Sequence, residues 1–183
     1  MSRRIQLPAL GAPCPNCKSP YEPHSSGVSR CTICMRFSNI STNSGIERRD
    51  GTSPGLAMTL PQFAAWFMSS LRACGYCGIP EELIGDLDLR TNIGLPLTRL
   101  GFDRLDNKLP YSTANIVFCC LACNATKSNT FNGHEMVSLG AVLQGIWIER
   151  LAAKGISWSP ERDRGSFPSP RSLLRRPYRI VKR

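Results

Sequence analysis

No stretch of the 183-residue chain approaches the roughly 18 consecutive apolar residues that span a bilayer, so no transmembrane helix and no membrane partner are expected. The opening residues Met1-Ser2-Arg3-Arg4-Ile5 run into Pro8 without building the apolar centre of a secretory signal, and no export is expected. Acidic residues are scarce, 13 against 23 Lys and Arg, which leaves a formal net charge of +10. The shortage lies in the flanks. Residues 1–58 carry 7 basic and 3 acidic side chains, residues 59–130 carry 6 and 6, and residues 131–183 carry 10 and 4. A basic surface around a neutral centre favours a polyanion, with nucleic acid the commonest. Also missing is a His-x-Glu ahead of any Cys-x-x-Cys pair, which excludes zinc-deaminase chemistry.

What the chain does hold is cysteine, nine in all. Cys14, Cys17, Cys31 and Cys34 form two Cys-x-x-Cys pairs, and Cys74, Cys77, Cys120 and Cys123 form two more, leaving Cys119 over. Without a secretory signal, this spacing predicts two structural zinc sites of four thiolates each rather than a disulfide framework. It points to the cytoplasm or another reducing intracellular compartment. Each Zn²⁺ held by four thiolates adds two negative charges, bringing the metallated chain to about +6. Cys119 sits in an apolar run and reads as a buried thiol.

Composition divides the chain into a tail over 1–13, a four-cysteine zinc module over 14–36, a Ser/Thr/Asn/Gly-rich linker over 37–58, a main domain over 59–155 and a basic tail over 156–183. The zinc module has too few apolar residues to fold without its metal. Thr59-Leu60-Pro61-Gln62 has the form of a capping box, and Phe63, Trp66, Phe67 and Leu71 follow at helical spacing, predicting a helix over 60–73. Residues 79–97 look irregular. The runs 97–105 and 114–119 predict two short antiparallel strands, and 123–130 a short helix. Asn132-Gly133-His134-Glu135 opens a second long helix, with Met136, Leu139, Val142, Leu143, Ile146, Trp147 and Leu151 as its apolar stripe and Gly155 as its stop. The expected architecture is α+β, a small zinc-bound core of two strands and a helix flanked by two longer helices. Prolines and charge in 157–183 predict an extended or disordered arm, whose Arg171, Arg175, Arg176 and Arg179 would meet phosphates without sequence choice.

Between the second set of cysteines lie Asp103-Arg104-Leu105-Asp106 and Asn115, and Asn124 and Lys127 follow directly after. Hydrolysis of a phosphodiester needs a cation on the scissile phosphate, open coordination positions and a means of activating water. Asp103 and Asn124 offer two oxygen ligands suited to Mg²⁺ or Mn²⁺. A zinc shared by Cys74, Cys77, Cys120 and Cys123 would fix the start of the short helix beside the strand that carries Asp103. Lys127, three residues beyond Asn124, would share its helix face and meet phosphate. The plainer readings are that Asp103 and Asp106 cap a turn or pair with Arg104, that Asn124 caps its helix, and that Lys127 is solvated.

Cys74-Gly75-Tyr76-Cys77-Gly78-Ile79-Pro80, Phe102-Asp103-Arg104-Leu105-Asp106-Asn107, Tyr111, Asn115-Ile116-Val117, the run Cys120 to Ser128, and Glu135-Met136 together resemble an HNH endonuclease of the ββα-metal type. The resemblance is closer to the branch whose first motif reads Asp-Arg-x-Asp, common in phage and mobile-element proteins, and it covers about residues 59–153. It implies a metal-dependent nuclease acting on DNA, with Asp103 and Asn124 on the catalytic divalent ion, Asn115 bracing the loop and zinc purely structural. The family's usual general base, a His directly after the motif Asp, is replaced by Arg104, which accepts no proton at ordinary pH. Asp106 is the first substitute, His134 the second, and activation of water by the cation alone the third. Arg104 then clamps phosphate or leaving-group charge. Pro110 stands where related sequences have Gly, which bears on the loop geometry. The alternative is a zinc-stabilised nucleic-acid-binding or ribonucleoprotein structural protein that lacks catalysis, with RNA as its partner in the second case.

Overall fold

Each set of four cysteines is built from the same two pieces, a tight Cys-x-x-Cys turn and the first turn of a helix. The computed structural model describes residues 8–22, 31–46, 53–91 and 93–160. In the first tight turn Cys14 N–H donates to Ser19 O at 2.8 Å and Lys18 N–H to Cys14 O at 2.9 Å; in the second, Cys74 N–H donates to Ile79 O and Gly78 N–H to Cys74 O, both at 2.8 Å. Backbone bridges close both turns, Pro13 with Pro20 and Ala73 with Pro80. The remaining cysteines start helices. Cys31 and Cys120 are N-caps whose sulfurs accept from the N–H of Cys34 and Cys123 at 3.3 and 3.4 Å. The elements in chain order are α1 (Thr32–Gly45), α2 (Leu60–Ser69), β1 (Gly101–Arg104), β2 (Ile116–Cys119), α3 (Leu121–Lys127) and α4 (Gly133–Ala152).

The chain divides into two compact units. Met1–Ser70 with Asn107–Asn115 contains the first cysteine set, α1 and α2. The helix α1 corrects the expectation of a linker from residue 37, since it runs on to Gly45. Its Ser, Thr and Asn residues are weak helix formers, but Ile33, Arg36, Ile40 and Ser44 recur on one buried face. Phe37 packs on Phe63 with tilted rings and centroids 5.6 Å apart, and the Arg36 guanidinium lies 5.4 Å over Phe67. Tertiary packing therefore outweighs propensity. Nor is the expected tail free through residue 13, because Gly11 N–H donates to Tyr21 O at 3.0 Å and Tyr21 N–H to Ala12 O at 2.7 Å. The capping box at Thr59 forms as expected, and α2 ends at Ser69 rather than near Ala73.

The second unit, Leu71–Asp106 with Ile116–Arg183, holds the second cysteine set, the strands, α3 and α4. Two 3-10 turns, Glu81–Leu83 and Gly85–Leu87, occupy the stretch expected to be irregular. The strands pair antiparallel with Gly101 opposite Cys119 and Asp103 opposite Val117, and are shorter than expected. Glu81 secures the entry to β1 by accepting from Leu100 N–H at 3.1 Å. The Asn132 capping box opens α4 as expected. Its buried face is narrower than the expected stripe: Met136, Gly140, Trp147 and Leu151 are buried, whereas Val142 and Ile146 are 65% and 38% exposed. Gly140 explains the difference. A Cβ there would collide with the Tyr76 carbonyl, so α4 crosses the second cysteine turn at backbone contact and is rotated toward that crossing. Gln144 completes the contact with an amide donated to Cys77 O at 3.1 Å. Among the described residues no helix is long and apolar enough to cross a membrane. Residues 161–183, including the expected basic arm, and residues 1–7 lie outside the described residues.

The residue after each tight turn adopts a positive φ, +77° at Gly78 and +61° at Lys18. Glycine takes this conformation without steric cost and lysine does not. Lys18→Gly is therefore expected to stabilise the first cysteine module by about 0.5–1 kcal/mol, read as a higher urea midpoint of the zinc-loaded protein. An unchanged or lower midpoint contradicts the assignment.

Candidate active site and metal centres

Sulfur geometry decides what the cysteines hold. The separations Cys14–Cys34, Cys17–Cys31 and Cys77–Cys120 are 3.7, 3.5 and 3.8 Å. A disulfide is about 2.05 Å long. A tetrahedron with Zn–S bonds of about 2.3 Å has edges of about 3.8 Å. Within each set all four sulfurs lie within 4.8 Å of one another, and every ligand is buried except the half-buried Cys34. Both donor sets fit zinc, and none of the nine cysteines forms a disulfide.

The second thiolate set also assembles the chemistry beside it. Tyr76 lies between Cys74 and Cys77, so the tight turn fixes its backbone. Lys127 lies one turn beyond Cys123 on α3, and these two residues are the buried ones of that helix. Strand β1 supplies Asp103, which alternation turns to the opposite face from Arg104. The three side chains converge. Tyr76 Oη donates to Asp103 Oδ2 at 2.7 Å, and Lys127 Nζ lies 3.2 Å from the same oxygen. Lys127 is 0% exposed and Asp103 8%. Burial first, then the negative charge of Asp103, raises the Tyr76 hydroxyl above its ordinary range and keeps it a proton donor.

This arrangement corrects the expected role of Lys127, which is neither solvated nor turned outward to phosphate; its side chain is enclosed with Asp103. Arg104, also expected to meet phosphate, is 4% exposed. Asn124 is exposed on α3, immediately after the ligand Cys123. Asp106 and His134 are exposed as well, with His134 in the first turn of α4, where its N–H donates to Asn132 Oδ1 at 2.9 Å. Within its own unit Asn115 donates its amide to Leu109 O at 3.3 Å and Pro110 O at 3.0 Å. Cys119 is buried and donates to Cys120 O at 3.3 Å. Arg171, Arg175, Arg176 and Arg179 fall outside the described residues. Tyr76 is the site residue that sequence reasoning misses. A phenol enclosed between two metal ligands is its signal, since such a turn leaves the ring little freedom.

A solved structure of the rare-cutting HNH restriction endonuclease PacI matches this chain at a TM-score of 0.62 and 32% identity, covering 79% of this chain and 98% of that one. The chain belongs to the HNH endonucleases. No family model matches it, and no curated protein does. PacI itself exhibits a mechanism of DNA perturbation. Within this HNH endonuclease the α+β expectation holds: two strands and a short helix, tied by four thiolates and accompanied by a second four-cysteine site.

Two zinc equivalents per chain are expected by elemental analysis. Cys123→Ser should release one and unfold the unit that contains β1, β2 and α3, because structural zinc contributes on the order of 10 kcal/mol to folding. A variant that keeps its second zinc, or folds fully without it, contradicts the assignment.

Proposed function

We propose that this chain is a metal-dependent endonuclease that hydrolyses phosphodiester bonds in DNA, with Mg²⁺ or Mn²⁺ as the reaction cation. The observation that carries the reading is the carboxylate of Asp103, held on one oxygen by Tyr76 and Lys127 in a chain that belongs to the HNH endonucleases. The donor types fit a hard cation, one carboxylate from β1 and one exposed amide, Asn124, from α3. A divalent ion there supplies stabilisation of charge on the scissile phosphate and leaves positions open for water.

The protein's own part is positional. Asp103 is oriented by its two partners, Asn124 stands on a helix whose start is a thiolate ligand, and Asn115 braces the Leu109–Pro110 backbone. Proton abstraction falls first to Asp106, an exposed carboxylate three residues beyond Asp103, and second to His134, also exposed. Arg104 carries a permanent charge and serves as an electrostatic element. A reducing compartment, the cytoplasm above all, suits the eight thiolates. The buried Arg104 in the usual base position favours the second reading, a DNA-binding protein without catalysis; RNA bound in preference to DNA would point to a ribonucleoprotein role.

The purified zinc-loaded protein is expected to nick or cut plasmid DNA when Mg²⁺ or Mn²⁺ is added. Asp103→Asn, which keeps the side-chain shape, should slow cutting by about 10³-fold while duplex binding stays within about twofold. A folded protein that binds duplex but fails to cut it whichever divalent ion is added removes the nuclease reading and leaves the binding one.

A further inference from the structure

Lysine is among the side chains least often found fully buried, and Lys127 has no exposed surface at all. Its ammonium lies 3.2 Å from Asp103 Oδ2. Folding does not ask for this pair: a buried carboxylate and ammonium seldom stabilise more than apolar groups of the same shape, whereas removing one partner alone leaves a stranded charge. Both side-chain partners of Asp103 among the described residues act on the same oxygen, since Tyr76 Oη also donates to Oδ2. The carboxylate is thus held at Oδ2, and neither of these two partners engages Oδ1. Lys127 follows Cys123 by one turn on the buried side of the seven-residue α3, and with no exposed surface its Nζ does not face solvent or phosphate in this conformation.

We propose that Lys127 is a positioning residue for cleavage, acting through Asp103: with Tyr76 it fixes Oδ2 so that Oδ1 is the oxygen offered to the divalent ion, and its charge balances the carboxylate before that ion arrives. This rests on the reading of Asp103 as a cation ligand. It assigns Lys127 no contact with DNA. The basis is geometric, because a pinned carboxylate meets the cation in one orientation, whereas a freed one rotates and forfeits the aligned geometry on which phosphoryl chemistry depends. The pairing also ties β1 to α3 by charge at the point where the thiolates tie α3 to the Tyr76 turn.

Three zinc-loaded proteins test it: wild type, Lys127→Met, and the double variant Asp103→Asn/Lys127→Met. Each is measured for binding to a random-sequence 30-bp duplex without added divalent ion across a salt series, for plasmid cutting across a Mn²⁺ series, and for melting temperature. Lys127→Met should bind duplex within about twofold of wild type with the same salt slope, because no phosphate contact is lost. Its cutting at saturating Mn²⁺ should fall by about tenfold or more. Its melting temperature should drop, and the double variant should recover much of that drop, because the stranded carboxylate is gone. A salt slope reduced by about 0.9, the signature of one lost phosphate contact, overturns the proposal. Unchanged cutting by Lys127→Met overturns it too, as does a double variant no more stable than the single one. Should Lys127→Met fail to fold, the double variant, neutral at both positions, carries the salt-slope measurement. Failure of the endonuclease reading has a different signature, wild type that cuts under no divalent ion while the melting cycle still reports a coupled pair; the positioning role falls with it.

Discussion

Everything in the second unit hangs on the convergence of four thiolates. Cys74 and Cys77 come from one tight turn, Cys120 and Cys123 from the start of α3, and forty-two residues separate the two pairs. A two-stranded sheet of four residues per strand and a seven-residue helix have little stability alone. A zinc ion held by these four sulfurs would replace the apolar burial that such short elements cannot provide. Because Tyr76 lies inside the turn and Lys127 lies on the helix, closing the thiolate set also delivers both partners of Asp103. Structure and chemistry therefore share one constraint.

The same device serves each unit, and the differences between the two show what the second was asked to do. In the first unit the helix after the cysteines, α1, buries Ile33 and Ile40 and sets Arg36 and Phe37 against Phe67 and Phe63 of α2, building a small core. In the second unit the corresponding helix, α3, is half as long and buries only Cys123 and Lys127. Its inner face is spent on a ligand and a charge. The packing that α3 does not supply comes from α4, which reaches the cysteine turn at backbone distance through Gly140 and holds it with Gln144. A long helix thus buttresses a turn whose rigidity the proposed site needs, since a misplaced Tyr76 would release Asp103.

Features set by local rules are legible from the amino-acid order. The cysteine spacing announces both thiolate sets, and the capping boxes at Thr59 and Asn132 announce α2 and α4, because in each case a few neighbouring residues carry the whole physical reason. The HNH character is legible for a similar reason, since its short blocks occur in a fixed order. Features set by packing are not. The helix α1 hides behind Ser, Thr and Asn because its stability comes from α2 and from the thiolate at its N-cap. Val142 and Ile146 read as core because periodicity cannot reveal that a nearby glycine sets the rotation of the helix. Charge and a three-residue spacing from Asn124 assign Lys127 to phosphate; its burial against a residue twenty-four positions earlier has no local signature. Tyr76 escapes notice because a phenol acquires meaning here only through the carboxylate that β1 brings to it.

The most direct test of the account is anomalous diffraction from crystals of the zinc-loaded protein grown with Mn²⁺. The account predicts zinc signals at both thiolate sets and a separate manganese signal about 2.1 Å from Asp103 Oδ1 and from the Asn124 side-chain oxygen, with Lys127 and Tyr76 still on Oδ2. Manganese bound away from Asp103, or Asp103 and Asn124 oxygens too far apart to share one ion, would contradict it.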